Sequence, residues 1–188
     1  YYAQKHGLGV IHMLDSAGPC LLLSYGVGRI GCQVAGDGDW GIPNDAPKPD
    51  WMSFLPDWVW AYDYPNNVLG LDLKTSFIND GYASITGNAW PTPLYESVVC
   101  ILLFFVLWSI RKKFTIPGMM FSVYLILNGV ERFLVEKIRV NTVYTIFDAE
   151  ITQAEIISTV LFLTGVAGIF YFRRLNLKPD PPAASVES

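Results

Sequence analysis

Two arginines stand in apolar stretches where a bare charge is costly. Arg132 lies in the run 118–136, which is apolar enough to enter a bilayer and also carries Glu131 and Glu136. Arg29 closes a second apolar run, in the segment GRIGCQVAGDGDWG at 28–41. A charge at bilayer depth costs roughly 2.5–3.5 kcal/mol on insertion scales, so such residues face a protein interior or a polar cavity and mark a functional site. A guanidinium stays charged at any working pH and offers a planar fork that suits phosphate. Two of them within membrane helices point to a buried anion site, and lipid phosphate is the anion at hand.

The neighbours of each arginine extend the pattern. Asn128, Arg132, Glu136 and Arg139 are spaced by four, four and three residues, which puts them on one helical face. Such a stripe faces inward, as a site or as an ion pair that locks two helices together. Around Arg29, Gly28 and Gly31 and then Gly36 and Gly41 allow close backbone approach and free main-chain N–H groups for an anion. The plainer reading is a glycine-rich helix exit with a snorkelling arginine. Asp37 and Asp39 follow at the outer interface. A third patch, Tyr95-Glu96, opens another apolar run. Glu96 there complements a helix N-terminus, or partners an arginine or a substrate hydroxyl. A nucleotide site is excluded, because no strand precedes the glycines and no Walker lysine follows them.

These side chains need apolar helices to hold them, and composition supplies the material. Of 188 residues, 52% are hydrophobic and 16% charged; mean hydropathy is +0.32. Four membrane segments are expected, at about 10–34, 93–110, 117–138 and 152–172, each long enough for a bilayer core of roughly 30 Å. Asp15 and Pro19 interrupt the first. Thr152 and Glu155 have capping-box spacing at the start of the fourth. The fold class is thus an all-α membrane protein, a polytopic helical bundle of about four transmembrane helices with an irregular outer-face cap.

Charge placement orients the bundle. Arg111-Lys112-Lys113 and Arg173-Arg174 follow the second and fourth spans, which puts those ends in the cytoplasm. The chain then divides into a first membrane segment with the Gly-Arg motif (1–36), a periplasmic irregular cap (37–92), three transmembrane helices (93–174) and a disordered cytoplasmic tail (175–188). The cap's Trp40, Trp51, Trp58, Trp60 and Trp90 suit the headgroup layer, and its prolines argue against long helices. A net charge of −4 with no basic stripe excludes nucleic acid as a partner. Cys20, Cys32 and Cys100 have no metal-ligand or disulfide spacing, and neither a metal nor a cofactor is expected. The opening Tyr1-Tyr2-Ala3-Gln4 reads as the exit of an earlier element, so further sequence is expected upstream.

Four patches in this order resemble the prolipoprotein diacylglyceryl transferase family. They are GRIGCQVAGDGDWG, Pro91-Thr92-x-Leu94-Tyr95-Glu96, Gly129-x-x-Arg132-Phe133-x-x-Glu136-x-x-Arg139, and Thr152-Gln153-x-Glu155-Ile156-Ile157-Ser158. The resemblance covers about 15–174, with the cap matching only in position. It implies a multi-pass enzyme of the bacterial inner membrane with its active site towards the periplasm. Such an enzyme moves the diacylglyceryl group of phosphatidylglycerol onto the lipobox cysteine thiol of prolipoproteins, releasing glycerol phosphate. Membrane lipids and prolipoprotein signal peptides are then the implied partners. Carried over by motif, Arg29 and Arg132 hold the lipid phosphate, with Glu96 and Glu136 at the family's acidic positions. Asp37 falls at its glutamate and Tyr95 at its tyrosine. Gly28, Gly31, Cys32, Gly36, Gly41, Asn128 and Arg139 complete the expected substrate-binding set.

The chain also departs from the family pattern. Cys32 stands at an asparagine position, Trp90 at a histidine and Pro93 at a glutamine. One extra residue lies between Gly36 and Gly41, and the family's His-Gly-Gly segment is not found in this sequence. His6 and His12 lack its glycine context. The alternatives are a polytopic anion transporter or a non-catalytic phospholipid-binding relative.

Overall fold

The computed structural model describes Lys5 and residues 7–140, 143–146 and 149–175. Four long helices dominate: α1 (Val10–Ala35), α3 (Thr92–Ile110), α4 (Met119–Glu136) and α5 (Gln153–Leu175), with a short α2 (Leu73–Asn79) in the cap. Among the described residues, three helices are long and apolar enough to cross a membrane: α1, α3 with its extension to Lys113, and α5. The protein is a multi-pass, essentially all-α membrane protein. The expected span at 117–138 corresponds to α4, whose three charges, Glu131, Arg132 and Glu136, all fall within its 18 residues. The expected tail at 175–188 lies outside the described residues beyond Leu175, as does His6.

Helix α1 is continuous through Asp15 and Pro19, where the sequence predicts interruptions. Asp15 has a positive reason to be there. Its Oδ2 accepts from Gly118 N at 2.6 Å and its Oδ1 from Phe121 N at 2.8 Å. It therefore caps α4 from another helix and satisfies two of the amides that every helix start leaves open. Gly118 is needed at that cap. Its φ is +89°, and a Cβ would sit 2.4 Å from the Phe172 ring of α5. The starts of α1 and α4 and the end of α5 thus meet at one end of the bundle.

The helices pack as two pairs, α1 with α3 and α4 with α5, and α1 joins the pairs through α4. Small residues set the spacing. A Cβ on Gly129 would lie 2.7 Å from Ser158 O, and one on Gly165 2.7 Å from Ser122 O. Without a hydrophobic drive between helices in lipid, such close backbone contact is what holds them. Leu22, Cys100, Leu107 and Met120 form the buried apolar cluster of the bundle. Leu102, Phe105, Leu163 and Phe170 are exposed and form a lipid-facing surface.

The cap follows α1. Gly36, at φ +61°, ends the helix in a left-handed turn. The chain at 39–44 then runs between two others, with antiparallel bridges Gly41↔Arg139 and Pro43↔Ala89. Gly41 N donates to Trp90 O at 2.8 Å, and Ile42 N to Ile138 O at 3.0 Å. A Cβ on Gly41 would meet Ile138 O at 2.5 Å, so only glycine fits this crossing. The crossing ties the exit of α1, the entry of α3 and the exit of α4 together. Trp40, Tyr64, Leu73, Phe77 and Ala89 form a small core above it. Trp40 is buried in that core and Trp60 packs edge-on against Trp90, while Trp51 and Trp58 are the exposed tryptophans of the cap. A two-stranded hairpin, β1 (Val143–Ile146) and β2 (Ala149–Thr152), joins α4 to α5, with Val143 opposite Thr152. No strand was expected there. The capping box was: Thr152 N donates to Glu155 Oε2 at 3.0 Å and Glu155 N to Thr152 Oγ1 at 3.2 Å.

Asp15→Ala is expected to lower the stability of the bundle by about 1 kcal/mol, the usual loss of an N-cap, read as a lower thermal midpoint in detergent. In the cap, Asp45 accepts from Thr86 Oγ1 at 2.6 Å and from the amides of Ile85 and Thr86, each at 2.9 Å. The Thr86 hydroxyl, then the two amides, hold its pKa below the ordinary value. A lowered folded pKa stabilises above the unfolded value near 3.9 and is lost as pH falls through the folded one. The stability gap between the protein and Asp45→Ala should therefore close below about pH 4 and stay constant above it, as followed by thermal unfolding.

Candidate functional site

At the cap end of the bundle, charges from α1, α3, α4 and the cap meet around one hydroxyl. Tyr25, one turn before Arg29 on α1, accepts from Arg29 Nε at 2.8 Å and also from the Arg132 guanidinium. Its own O–H donates to Glu96 Oε2 at 3.1 Å. Two acceptor lone pairs and one donor is the full capacity of a phenol. The ring also lies under both cations, 5.0 Å from the Arg29 guanidinium carbon and 5.6 Å from that of Arg132. Arg29 and Arg132, expected to converge, do so on Tyr25.

Arg29 is buried and engaged through its Nε and Nη1. Besides Tyr25 it pairs with Glu96 and Asp39, and its Nη1 lies 3.9 Å from the Cys32 thiol. Asp39 bridges two cations, one oxygen on Arg29 and the other on Arg139. Its backbone is held by Thr92 Oγ1, which donates to Asp39 O at 2.6 Å. Arg139 also lies 3.9 Å from Glu96 Oε1. Burial, then the neighbouring Arg29 charge, lowers the Arg139 pKa. Glu96 is 2% exposed, so this pairing is what makes its burial tolerable.

Arg132 differs. Among the described residues no carboxylate lies within ion-pair distance of it, and Tyr25 is its hydrogen-bond partner. It lines two clefts. One, of about 600 Å³, lies between α1 and α4 and is lined by Tyr25, Gly28, Arg29, Cys32, Asn128 and Arg132. The other, of about 440 Å³, lies between α4 and α5. It holds the whole expected stripe, Asn128, Arg132, Glu136 and Arg139, opposite Gln153, Ile157 and Ser158. Glu136 is buried and its Oε1 has no partner, as is true of Arg139 Nε. Arg132 and Asn128 are therefore the shared wall of two openings.

Other expected residues fall elsewhere. Gly31 lies in the body of α1 with open space beside it. Gly28 and Gly31 donate within the helix, so they supply no free amides for an anion; their small size opens room beside Arg29. Gly36 and Gly41 shape the backbone of the cap. Tyr95 points away from the cluster and donates to Val59 O at 2.8 Å. Asp37 is exposed beside the Cys32 thiol, and Asp39 makes the ion pairs instead. Cys32, Asp37 and Asp39 bring ligand atoms within 4.8 Å of one another. Both Asp39 oxygens are on guanidinium groups, which leaves Asp37 and the Cys32 thiol as the members of that group outside these ion pairs.

Three residues were missed. Tyr25 carried a usable signal, since it sits four residues before Arg29 on the same face. Asp39 was noticed only as a neighbour. Glu131 is 3% exposed, and its oxygens have no N–H or O–H partner; the Cys100 thiol faces them. Its position beside Arg132 gave no hint that it points into the bundle.

Fold and site together define a multi-pass membrane protein with a buried guanidinium–carboxylate cluster open to two clefts. The family model "Prolipoprotein diacylglyceryl transferase" matches residues 1–171, and the chain belongs to that family. It is similar to the phosphatidylglycerol–prolipoprotein diacylglyceryl transferase of Leptospira interrogans, 31% identical over 147 residues, 74% of this chain and 37% of that protein. The enzyme of the same name from Shouchella clausii is 29% identical over 188 residues, 98% of this chain and 59% of the relative. That from Clostridium tetani is 32% identical over 139 residues, 73% and 45% of the two chains. The chain thus spans 37–59% of the length of these relatives.

Tyr25→Phe keeps the ring beneath both cations but removes the hydroxyl they share. Leaving buried partners unsatisfied costs about 1–3 kcal/mol. The variant is expected to unfold at a correspondingly lower denaturant concentration, with an unchanged helical circular dichroism spectrum.

Proposed function

We propose that this chain transfers the diacylglyceryl group of phosphatidylglycerol to the thiol of a lipobox cysteine in the outer half of a bacterial inner membrane, with α4 as the fourth crossing helix. The single observation that carries this reading is Arg132, a cation without a carboxylate partner on the wall of two clefts. A phosphate there gains a bidentate fork, with Asn128 beside it. Two openings suit two substrates, a lipid and a protein thiol, better than they suit one solute.

The bond changes follow from the donors present. The thiolate sulfur attacks the glyceryl carbon next to the phosphate ester oxygen. The S–C bond forms, the C–O bond breaks, and its electron pair leaves on the phosphate of glycerol phosphate. Negative charge grows on that phosphate, where Arg132 stabilises it. The thiol proton must go to a base, and we assign it to Glu136 because its Oε1 has no partner in the same cleft. Arg29 and Arg139, held by Asp39 and Glu96, fix the wall and keep its field positive.

The test uses the chain in nanodiscs containing phosphatidylglycerol, with a lipobox peptide, and mass spectrometry of the peptide. A diacylglyceryl mass gain is expected, abolished by Arg132→Ala and barely restored by Arg132→Lys, since a point charge does not replace the fork. Transfer by Arg132→Ala at the unsubstituted rate would refute the assignment. Lipid binding with no mass gain in the folded protein would favour the non-catalytic relative, for which the departures at Cys32 and Trp90 speak.

A further inference from the structure

The cap carries an exposed aromatic edge that the charged cluster does not use. Pro49-Asp50-Trp51 recurs seven residues later as Pro56-Asp57-Trp58, and each copy forms a 3-10 turn, Asp50–Met52 and Asp57–Val59. The two turns bury Met52 and turn other side chains out: Trp51 is 72%, Phe54 77% and Trp58 45% exposed. Lys48 fastens the turns to each other, donating to Leu55 O at 2.7 Å and to Asp57 Oδ1 at 2.5 Å. The exposure is thus built into a braced loop.

The height of this loop relative to the bilayer is fixed by its attachments. Val59 O accepts from the hydroxyl of Tyr95, in the first turn of the apolar helix α3. Trp60 packs against Trp90, just before α3 begins, at 4.6 Å between ring centres. The loop therefore lies level with the outer end of a membrane helix. A second exposed apolar edge, Val68 and Leu69, is tied to the other outer helix end, where Val68 N donates to Ala35 O, the last residue of α1, at 2.9 Å.

We propose that the cap is seated in the headgroup layer of the bilayer that α1 and α3 cross, with Trp51, Phe54 and Trp58 as one foot and Val68 and Leu69 as the other. The occupant of the surface is lipid. Tryptophan rings partition to this layer because one end is apolar and the other wet. Asp50 and Asp57 flank the rings, so attraction to anionic headgroups contributes nothing and the seating is insensitive to salt. The inference rests on the membrane helices and is independent of the transferase reading.

The test is tryptophan quenching of the full chain reconstituted in phosphatidylcholine vesicles, compared with Trp51→Phe and Trp58→Phe. Both rings are exposed, so neither substitution opens a core, and circular dichroism checks the helices. The emission that each substitution removes is expected to be quenched by lipid brominated near the glyceryl end and shielded from aqueous acrylamide, at low and high salt alike. Emission reached by acrylamide and not by the brominated lipid would overturn the proposal. So would a component that becomes shielded only when a lipobox peptide is added, since the edge would then be a protein-docking surface.

Discussion

The structure depends on burying three guanidinium groups and several carboxylates among apolar helices without leaving their charges bare. Tyr25 makes that arrangement possible. One phenol takes two cations and one carboxylate at once, and its ring adds a second attraction to both cations. Glu96 and Asp39 complete the pairing from α3 and from the cap. Such a network adds little net stability compared with apolar packing, yet removing one partner from it is expensive. Its value lies in registering four separate parts of the chain against one another.

The two ends of the bundle are therefore held differently. At the end away from the cap, contact is close and the polar demand is small: Asp15 closes the start of α4 and Phe172 covers Gly118. Small residues let α4 and α5 approach along their length. At the cap end the helices part into two clefts, and the backbone crossing at Gly41 stops them from parting further. The site opens where charge pairing, and not close packing, holds the helices together. The two exposed apolar edges of the cap lie beside that same end.

Much of this was legible in the sequence, and what was hidden has physical reasons. Hydropathy and cap residues placed the long helices to within a few residues, because a bilayer demands continuous apolar length. Periodicity put Asn128, Arg132, Glu136 and Arg139 on one face, and all four line one cleft. Pro19 misled because a proline in lipid need not end a helix when its neighbours satisfy the freed carbonyl. Asp15 read as an intrusion because its partners lie about a hundred residues away. The hairpin at 143–152 was invisible because two short strands between helices leave little pattern. Asp37 was preferred to Asp39 because it falls at the glutamate of the family motif. Which carboxylate turns inward is set by the left-handed turn at Gly36 and the hold of Thr92 on Asp39 O, and local sequence does not encode that contact.

The sequence presents Arg29 and Arg132 as equivalents, and their surroundings make them unlike. Arg29 is committed through its Nε to Tyr25 and Glu96 and through its Nη1 to Asp39 and the Cys32 thiol. Removing it would leave Glu96 to Tyr25 and the more distant Arg139 while Asp39 keeps Arg139, and breaking a buried pair in this way costs up to about 3–5 kcal/mol. Arg132 has Tyr25 on one side and open clefts on the others. An arriving anion finds Arg132 already oriented by the phenol and not claimed by a carboxylate, so it displaces no ion pair in binding. Arg29, through Tyr25, holds the receptor that Arg132 presents. On the proposed function both arginines then serve one anion, the first by building the wall and the second by meeting the phosphate.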